Sequence, residues 1–231
     1  MRYIIYMISL SYFFFYSCNQ TTSTDDKIES KIDSIVIHTY YGSMTFVLFN
    51  ETPLHKQNFL DKIDTKFYDS LLFHRVQPQF MIQGGDPTSR GEVGPAMVLG
   101  EGGQSQYIDA EIDPKFIMCK GALVAFHDGV KKNPSKRSNS SQFMILHGQA
   151  LKEMHFSPPN NDRSYTEEQI ELYLLRGGCP QLDGQYTIFG QLVDGWHILD
   201  KIALSPTYRS VDPHLPDRPL RDIRMSIHHL N

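Results

Sequence analysis

The stretch FHRVQPQFMIQGGDP, residues 73–87, contains the clearest signals for the fold of this chain of 231 residues. Two short runs rich in β-forming residues, residues 71–76 and 80–83, lie on either side of a proline-containing break at residues 77–79. A pair of glycines follows the second run directly. The stretch therefore predicts two short strands, each bounded by a turn or a loop.

Runs of the same kind recur through the chain and predict further strands. They cover residues 35–40, 44–49, 122–126, 142–146, 187–192 and 223–228. The first two runs are separated only by Tyr41-Gly42-Ser43, which indicates a hairpin. Many short strands separated by Gly-rich and Pro-rich loops are typical of a β-barrel or a β-sandwich, and periodicity alone does not separate the two.

Two helices are predicted beside these strands. Thr52-Pro53 places a threonine at the cap and a proline in the first turn of one helix. The residues expected to share one face of this helix are Leu54, Asn58, Phe59 and Ile63. Residues 195–203 predict the second helix.

The long connection between two strands, residues 149–178, contains a further predicted helix. Ser164 and Glu167 have the spacing of a capping box, with the serine at the cap and the glutamate three residues later. The helix would continue over residues 168–176 and end at the glycine pair that follows. We therefore expect an inserted helix near residues 164–176.

Composition argues against several classes of function. The formal net charge is −4, whereas nucleic-acid-binding proteins usually have a basic face. The ten histidines include no pair with a metal-like helical spacing, and the three cysteines form no C-x-x-C pair, so we expect no metal site. Gly84-Gly85-Asp86 lacks the Gly-Lys-Ser/Thr ending of a phosphate-binding loop.

The first 33 residues indicate targeting rather than folding. Arg2 precedes an apolar run, residues 3–16, which is shorter than the roughly 20 residues of a membrane-spanning helix and is typical of a signal peptide. Ser17-Cys18 resembles the end of a bacterial lipobox, in which the cysteine is lipidated. We therefore predict a signal peptide over residues 1–17 and a lipidated Cys18. A plain secretory signal followed by an unmodified cysteine is the alternative.

A lipid on Cys18 would hold the protein at a membrane of the bacterial cell envelope, on the periplasmic or outer-membrane face. The polar residues after Cys18 predict a flexible tether over residues 18–33, followed by one folded domain over residues 34–231. Cys119 and Cys179 remain, and an oxidising compartment would permit a disulfide between them. The sequence leaves both this disulfide and two unpaired thiols open.

Residues 73–87 closely resemble the central motif of the cyclophilins, and three further blocks resemble that family's motifs in the same order. These blocks are GALVAF (121–126), NSSQFMI (139–145) and LDGQYTIFG (182–190). The resemblance implies a mainly β fold, an eight-stranded antiparallel closed β-barrel capped by two helices. It also implies a peptidyl-prolyl cis-trans isomerase that acts on proline-containing polypeptides, here exported proteins. We expect a monomer without a cofactor.

The resemblance assigns catalysis to Arg75 and Gln83. The barrier to rotation about a peptide bond is about 18–20 kcal/mol because resonance gives that bond double-bond character. In the twisted amide the prolyl nitrogen regains a lone pair, to which the permanently charged guanidinium of Arg75 can donate a hydrogen bond. Gln83 matches the position that supports this arginine and binds the substrate backbone. Outside the motif, an arginine such as Arg75 would be interpreted as a surface salt-bridge residue.

The resemblance also assigns the residues that would bind the substrate. Those matching the apolar pocket for the proline ring are Phe80, Met81, Met144 and Leu182. Those matching the groove and the pocket edge are Phe126, His127 and Tyr186, of which the first two would bind peptide mainly through their backbone. Each apolar residue could instead be ordinary barrel core, and each polar or aromatic one a solvated rim residue.

Three positions differ from the common family pattern. Met144 stands where many members have a second phenylalanine, and Phe126 stands where many have alanine. Gln181 stands where some members have a tryptophan associated with binding of cyclosporin, so we predict weak sensitivity to that drug. Two other functions stay open: a proline-binding scaffold without turnover, and a surface lipoprotein that presents residues 149–178 to a partner.

Overall fold

A computed structural model describes residues 33–94, 97–103, 106–156 and 163–230 of the chain. The predicted signal peptide, Cys18 and nearly all of the tether lie outside the described residues. The strands are β1 (Ser34–Thr39), β2 (Gly42–Leu48), β3 (Phe73–Gln77), β4 (Met81–Gly84), β5 (Tyr107–Ile108), β6 (Ala122–Ala125), β7 (Ser138–Asn139), β8 (Phe143–Leu146), β9 (Ile188–Asp194) and β10 (Ser226–His229). The helices are α1 (Pro53–Asp64), α2 (Glu167–Arg176), α3 (Trp196–Ala203) and α4 (Tyr208–Val211).

Eight of the strands form one antiparallel sheet in the order β10-β1-β2-β9-β6-β8-β4-β3. Each of these eight corresponds to one of the predicted strands. The sequence did not predict β5 and β7, which have two residues each and pair only with one another. Such short strands carry no periodic signal.

The closed barrel that we expected is not confirmed, because the edge strands β3 and β10 do not pair along their length. Instead the start of β3 and the residue pairs just before β3 and β10 make contact: Phe73 N donates to Ile223 O at 2.9 Å, and Met225 N donates to Leu71 O at 2.9 Å. We call this junction of residues 70–73 with residues 223–225 the seam. The sheet is therefore open and curls until its two edges approach.

Beyond the seam the chain pairs with another segment instead of extending a ladder with β3, since Tyr208 N donates to Arg218 O at 2.9 Å and Leu220 N donates to Pro206 O at 2.8 Å. The chain that runs alongside β3 beyond the seam contains Pro216 and Pro219, neither of which can donate a backbone hydrogen bond. Beyond the seam, a backbone hydrogen bond joins β3 to this segment, from Val76 N to Asp217 O at 2.9 Å. The second edge of β3 is consequently held by a loop rather than by a strand.

The main hydrophobic core lies on one face of the sheet, where α1 and α3 cover it. Side chains alternate along each strand, so that in β1 and β2 Ile35, Ile37, Met44 and Phe46 all point into this core. The helices contribute Phe59, Ile63, Ile198, Leu199, Ile202 and Ala203. This arrangement agrees with the prediction of two helices beside the sheet.

The N-terminus of α1 is capped by a residue distant in sequence. The side chain of Thr52 makes no capping bond, and the Glu111 carboxylate instead accepts from Leu54 N at 3.0 Å and His55 N at 2.9 Å. Of the residues expected to share one face, Phe59 and Ile63 are buried but Leu54 is exposed, and His55 is buried in addition. The ring of His55 is satisfied by Glu111 and by Ser138 Oγ, so a polar residue occupies the buried position.

The inserted helix is present as α2, but its cap lies two residues later than predicted. Thr166, not Ser164, is the capping residue, and Gln169 completes the capping box. The helix ends as expected at Gly177, whose φ of 78° suits glycine. Among the helices of the described ranges, none has the length and apolar character needed to cross a membrane.

Candidate active site

Arg75 and Gln83 lie directly opposite each other on the neighbouring strands β3 and β4. Arg75 Nη1 donates to Gln83 Oε1 at 3.4 Å, and Nη2 donates to Gln77 Oε1 at 3.1 Å. The side chain of Arg75 is 39% exposed, so the guanidinium is reachable from solvent. Burial lowers the pKa of Arg75 from its usual value, and the nearby Asp217 opposes this change. Because that usual value is so high, the group stays charged at neutral pH.

Gln83 is buried and its amide is held at both ends. Its Oε1 accepts from Arg75, while its Nε2 donates to Gln142 Oε1 at 2.9 Å. Gln142 in turn donates through Nε2 to Gly100 O at 2.9 Å and Gly102 O at 2.7 Å. This chain fixes the orientation of the Gln83 amide so that its oxygen faces the guanidinium. Gln142 was not predicted as a site residue, although it lies inside the NSSQFMI block.

The six apolar and aromatic residues predicted to form the pocket and its edge all belong to one hydrophobic cluster. Met81 and Met144 are buried within it, and four others are half-buried against it: Phe80, Phe126, Leu182 and Tyr186. Alternation along β4 explains the position of this cluster, since Ile82 points into the main core while Met81 and Gln83 point away from it. The half-buried members present apolar surface on the same face of β4 as Gln83.

His127 supports the cluster through its ring and leaves its backbone free. The ring stacks on Tyr186 with 4.1 Å between centroids, Nε2 donates to Gln185 O at 2.9 Å, and Nδ1 accepts from Gly129 N at 3.0 Å. Burial lowers the pKa of His127, which favours this neutral form. Its backbone N–H and carbonyl make no hydrogen bond within the described part of the chain.

Phe126 differs from His127 in this respect. Its N–H donates to Gln142 O at 3.1 Å, and its carbonyl accepts from Asn139 N at 2.8 Å. Of the two residues predicted to bind peptide through their backbone, only His127 therefore has an N–H free to do so. Phe126 would therefore contact a peptide through its side chain rather than through its backbone N–H.

Two cavities lie on either side of the Phe126 ring. The larger has a volume of about 300 Å³, and Arg75 and Gln83 line it. The smaller has a volume of about 210 Å³, and His127 and Arg137 line it. Phe126 lines both, so its ring borders two cavities at once.

The structure adds charged residues that the sequence did not single out. Arg209 on α4 and Asp217 and Arg218 in the loop after it line the larger cavity. His74, which follows the buried Phe73 on β3, lies at the same cavity, and burial lowers its pKa to about 4. No sequence motif could have indicated Arg209, Asp217 and Arg218, because their relation to Arg75 arises only from the fold.

The two cysteines of the described domain are unpaired. Both Cys119 and Cys179 are buried, and burial raises the pKa of each thiol to about 11. A thiol with such a pKa is almost wholly protonated at neutral pH and therefore unreactive. Cys179 contributes only packing to the apolar cluster.

Comparison with known proteins agrees with this arrangement. The family model described as "Cyclophilin type peptidyl-prolyl cis-trans isomerase/CLD" matches residues 34–229. A Staphylococcus aureus (strain COL) protein, provisionally named as a peptidyl-prolyl cis-trans isomerase, is 34% identical over 193 residues, which cover 82% of this chain and 87% of that protein. A Streptococcus pyogenes protein, provisionally named as a bifunctional phosphatase/peptidyl-prolyl cis-trans isomerase, is 32% identical, and the match covers 82% of this chain and 37% of its own length.

Two solved structures of a Cryptosporidium parvum cyclophilin type peptidyl-prolyl cis-trans isomerase are also similar. The first has a TM-score of 0.63 at 28% identity and covers 87% of this chain and 99% of its own. The second, in the presence of the dipeptide Ala-Pro, has a TM-score of 0.59 at 27% identity and covers 86% and 99%. The match of a single family over almost the whole described domain identifies the chain: it belongs to the cyclophilin type peptidyl-prolyl cis-trans isomerases.

Proposed function

We propose that this protein accelerates rotation of Xaa-Pro bonds by stabilising the twisted amide with the Arg75 guanidinium. The observation that carries the proposal is the position of Arg75, whose accessible guanidinium is held by the buried Gln83 on the face that also presents the apolar cluster. No bond is broken in this reaction. The catalyst therefore needs only to bind the twisted amide more tightly than either planar form.

Different parts of the site would bind the proline ring and the peptide backbone. The half-buried Phe80 and Leu182 would contact the apolar faces of the proline ring, and the buried Met81 and Met144 would support them from beneath. The free backbone N–H and carbonyl of His127 would hold the peptide by β-type hydrogen bonds. With the ring fixed, the acyl side rotates and the prolyl nitrogen becomes pyramidal within reach of a donor. Arg75 supplies that donor without any change of its own protonation.

The test compares the full-length protein with its Arg75→Ala variant in detergent, using cis-to-trans conversion of a short Xaa-Pro peptide. We expect at least a tenfold loss of kcat/KM, equivalent to about 1.4 kcal/mol of transition-state stabilisation. Arg221→Ala is the matched control, since that arginine contacts the Tyr40 ring and no site residue. A folded wild type that binds the peptide without accelerating its conversion would instead identify a proline-binding scaffold.

The Ala-Pro dipeptide present with the Cryptosporidium parvum relative supports proline-containing polypeptides as the substrate class. We further propose that the substrates are exported proteins and that a lipid on Cys18 anchors a monomer in the bacterial cell envelope. The support is the N-terminal sequence: a basic start, a short apolar run, Ser17-Cys18 and a polar tether.

Growth with labelled palmitate tests the anchor directly. The wild type is expected to take up label and to sediment with membranes, and Cys18→Ser to do neither. An unlabelled wild type would refute lipidation while leaving the isomerase proposal untouched.

A further inference from the structure

One carboxylate connects Arg75 to a loop that is distant in sequence. Asp217 Oδ2 accepts from Gln77 Nε2 at 2.6 Å, across 140 positions of the chain, and lies 3.8 Å from Arg75 Nε. Its other oxygen, Oδ1, accepts from Arg209 Nε at 2.6 Å. The Asp217 side chain is only 12% exposed, so solvent screens these contacts less than it would at the surface.

Gln77 connects this carboxylate to the guanidinium. Its Oε1 accepts from Arg75 Nη2 at 3.1 Å while its Nε2 donates to Asp217. The amide can take only this orientation, because a flip would place its NH₂ against the guanidinium and its oxygen against the carboxylate. Asp217 thereby determines which end of Gln77 faces Arg75.

Three neighbours together restrict the guanidinium. Gln83 on β4 accepts from Nη1, and Gln77, which is on β3 like Arg75 itself, accepts from Nη2. The carboxylate of Asp217 in the loop lies beside Nε. The loop itself is fixed to β3, since Val76 N donates to Asp217 O. A long arginine side chain has about 2 kcal/mol of rotamer entropy to lose when it is ordered. Here that ordering takes place in the folded protein, before substrate binds.

We propose that Asp217, acting through Gln77, is a positioning residue that holds the Arg75 guanidinium in the orientation required by the twisted amide. This inference rests on the proposed role of Arg75. Because Arg75 acts on the twisted state and the apolar cluster binds the proline ring, misplacing the guanidinium lowers the rate of rotation on the protein more than it lowers peptide affinity.

Exchange NMR of an Xaa-Pro peptide tests the inference, since it reports the on-enzyme cis–trans rate and the peptide affinity separately. For Asp217→Ala we expect the rate to fall by about fivefold to tenfold, with the dissociation constant within about twofold of wild type. Asp217→Glu should recover part of the rate. Asp212→Ala is the matched control: it removes an exposed carboxylate of the same loop, which accepts from His214 N and does not contact Arg75 or Gln77.

A double-mutant cycle separates positioning from general stability. In the Arg75→Ala background, Asp217→Ala should change the remaining rate by less than about twofold, because there is no guanidinium left to orient. A loss of the same size in both backgrounds would overturn the inference. Should Asp217→Ala fail to fold, Gln77→Met removes the same connection from the strand side and should show the same dependence on Arg75.

The outcomes also distinguish the two proposals. If Arg75→Ala loses activity while Asp217→Ala and Gln77→Met keep the wild-type rate, the positioning role is refuted and the proposed function stands. If Arg75→Ala itself keeps the wild-type rate, both are refuted.

Discussion

Substitution of Tyr173 by phenylalanine should destabilise the protein by disturbing a buried carboxylate next to the proposed proline pocket. The Asp183 side chain is 1% exposed and follows Leu182 in the chain. Tyr173 OH and Tyr165 OH donate to its Oδ2 at 2.7 and 2.9 Å, and Met118 N donates to Oδ1 at 2.7 Å. Tyr173 belongs to α2 of the insertion, so the insertion supplies part of the support for the pocket wall.

The magnitude follows from the chemistry of the lost bond. Phenylalanine keeps the ring that packs against Phe156 and Tyr165 but removes one donor from a buried carboxylate. A hydrogen bond to a charged group contributes about 1.5–3 kcal/mol. A loss of about 2 kcal/mol in a domain of this size lowers Tm by about 4–8 °C.

Differential scanning calorimetry of the full-length protein measures this change. Tyr107→Phe is the matched control, since Tyr107 is half exposed and its ring contact with Arg137 persists in phenylalanine. Peptide affinity should also weaken in Tyr173→Phe, because the turn at Leu182 loses support. A Tm within about 1 °C of wild type would refute the role that we assign to the bond.

Three further predictions concern pH, drug binding and specificity. Burial lowers the pKa of four histidines, which are His55, His74, His127 and His147. As pH falls, the unfolded chain binds protons before the folded protein does, so the free energy of unfolding should decrease from about pH 6.5 towards pH 4. Urea unfolding at each pH should show this decrease, to which His74 alone contributes about 2 kcal/mol at pH 5. Cyclosporin should inhibit the wild type only above micromolar concentration, and Gln181→Trp should bind it more tightly by isothermal titration calorimetry. Phe126→Ala should join the two cavities and raise kcat/KM for peptides with a bulky residue beside the proline, relative to those with alanine.

One buried carboxylate opposes the histidines in this pH dependence. Burial raises the pKa of Asp183 in the folded state, so the folded protein binds this proton more tightly than the unfolded chain. Its contribution to stability is present at low pH and is lost as pH rises through the folded value. With four histidines against one aspartate, net stability should still increase from pH 4 to 6.5.

Local patterns were sufficient to predict the elements that carry the site. The β-rich runs predicted all eight strands of the sheet, and the 73–87 stretch predicted the two short strands on which Arg75 and Gln83 lie. The same patterns failed where a partner from elsewhere in the chain decides the structure. Glu111, which is distant in sequence, caps α1 in place of Thr52. At α2 the error was local, since Thr166 rather than Ser164 is the capping residue.

The charged surroundings of Arg75 could not be predicted for the same reason. Asp217 is a single carboxylate in a loop rich in proline and charge, and nothing in its local sequence distinguishes it from Asp212. Only the curling of the sheet brings that loop against β3, where Val76 and Gln77 bind it. Contacts that form only when the whole sheet curls produce no periodic pattern in the sequence.

The seam has a consequence for how the protein loses activity. Cooperative units of a protein open separately, and those held by few bonds open first. The strand with Arg75 is joined to the C-terminal segment by the few backbone bonds of the seam, by the backbone bond from Val76 to Asp217, and by the contacts of the Gln77 and Arg75 side chains with Asp217. Because Leu71, Phe73, Ile223 and Met225 at the seam are packed in the main core, opening this edge also exposes core side chains. Heating should therefore begin to unfold the protein at this edge, so loss of activity should accompany melting, and a crosslink across the seam should raise the temperature of both.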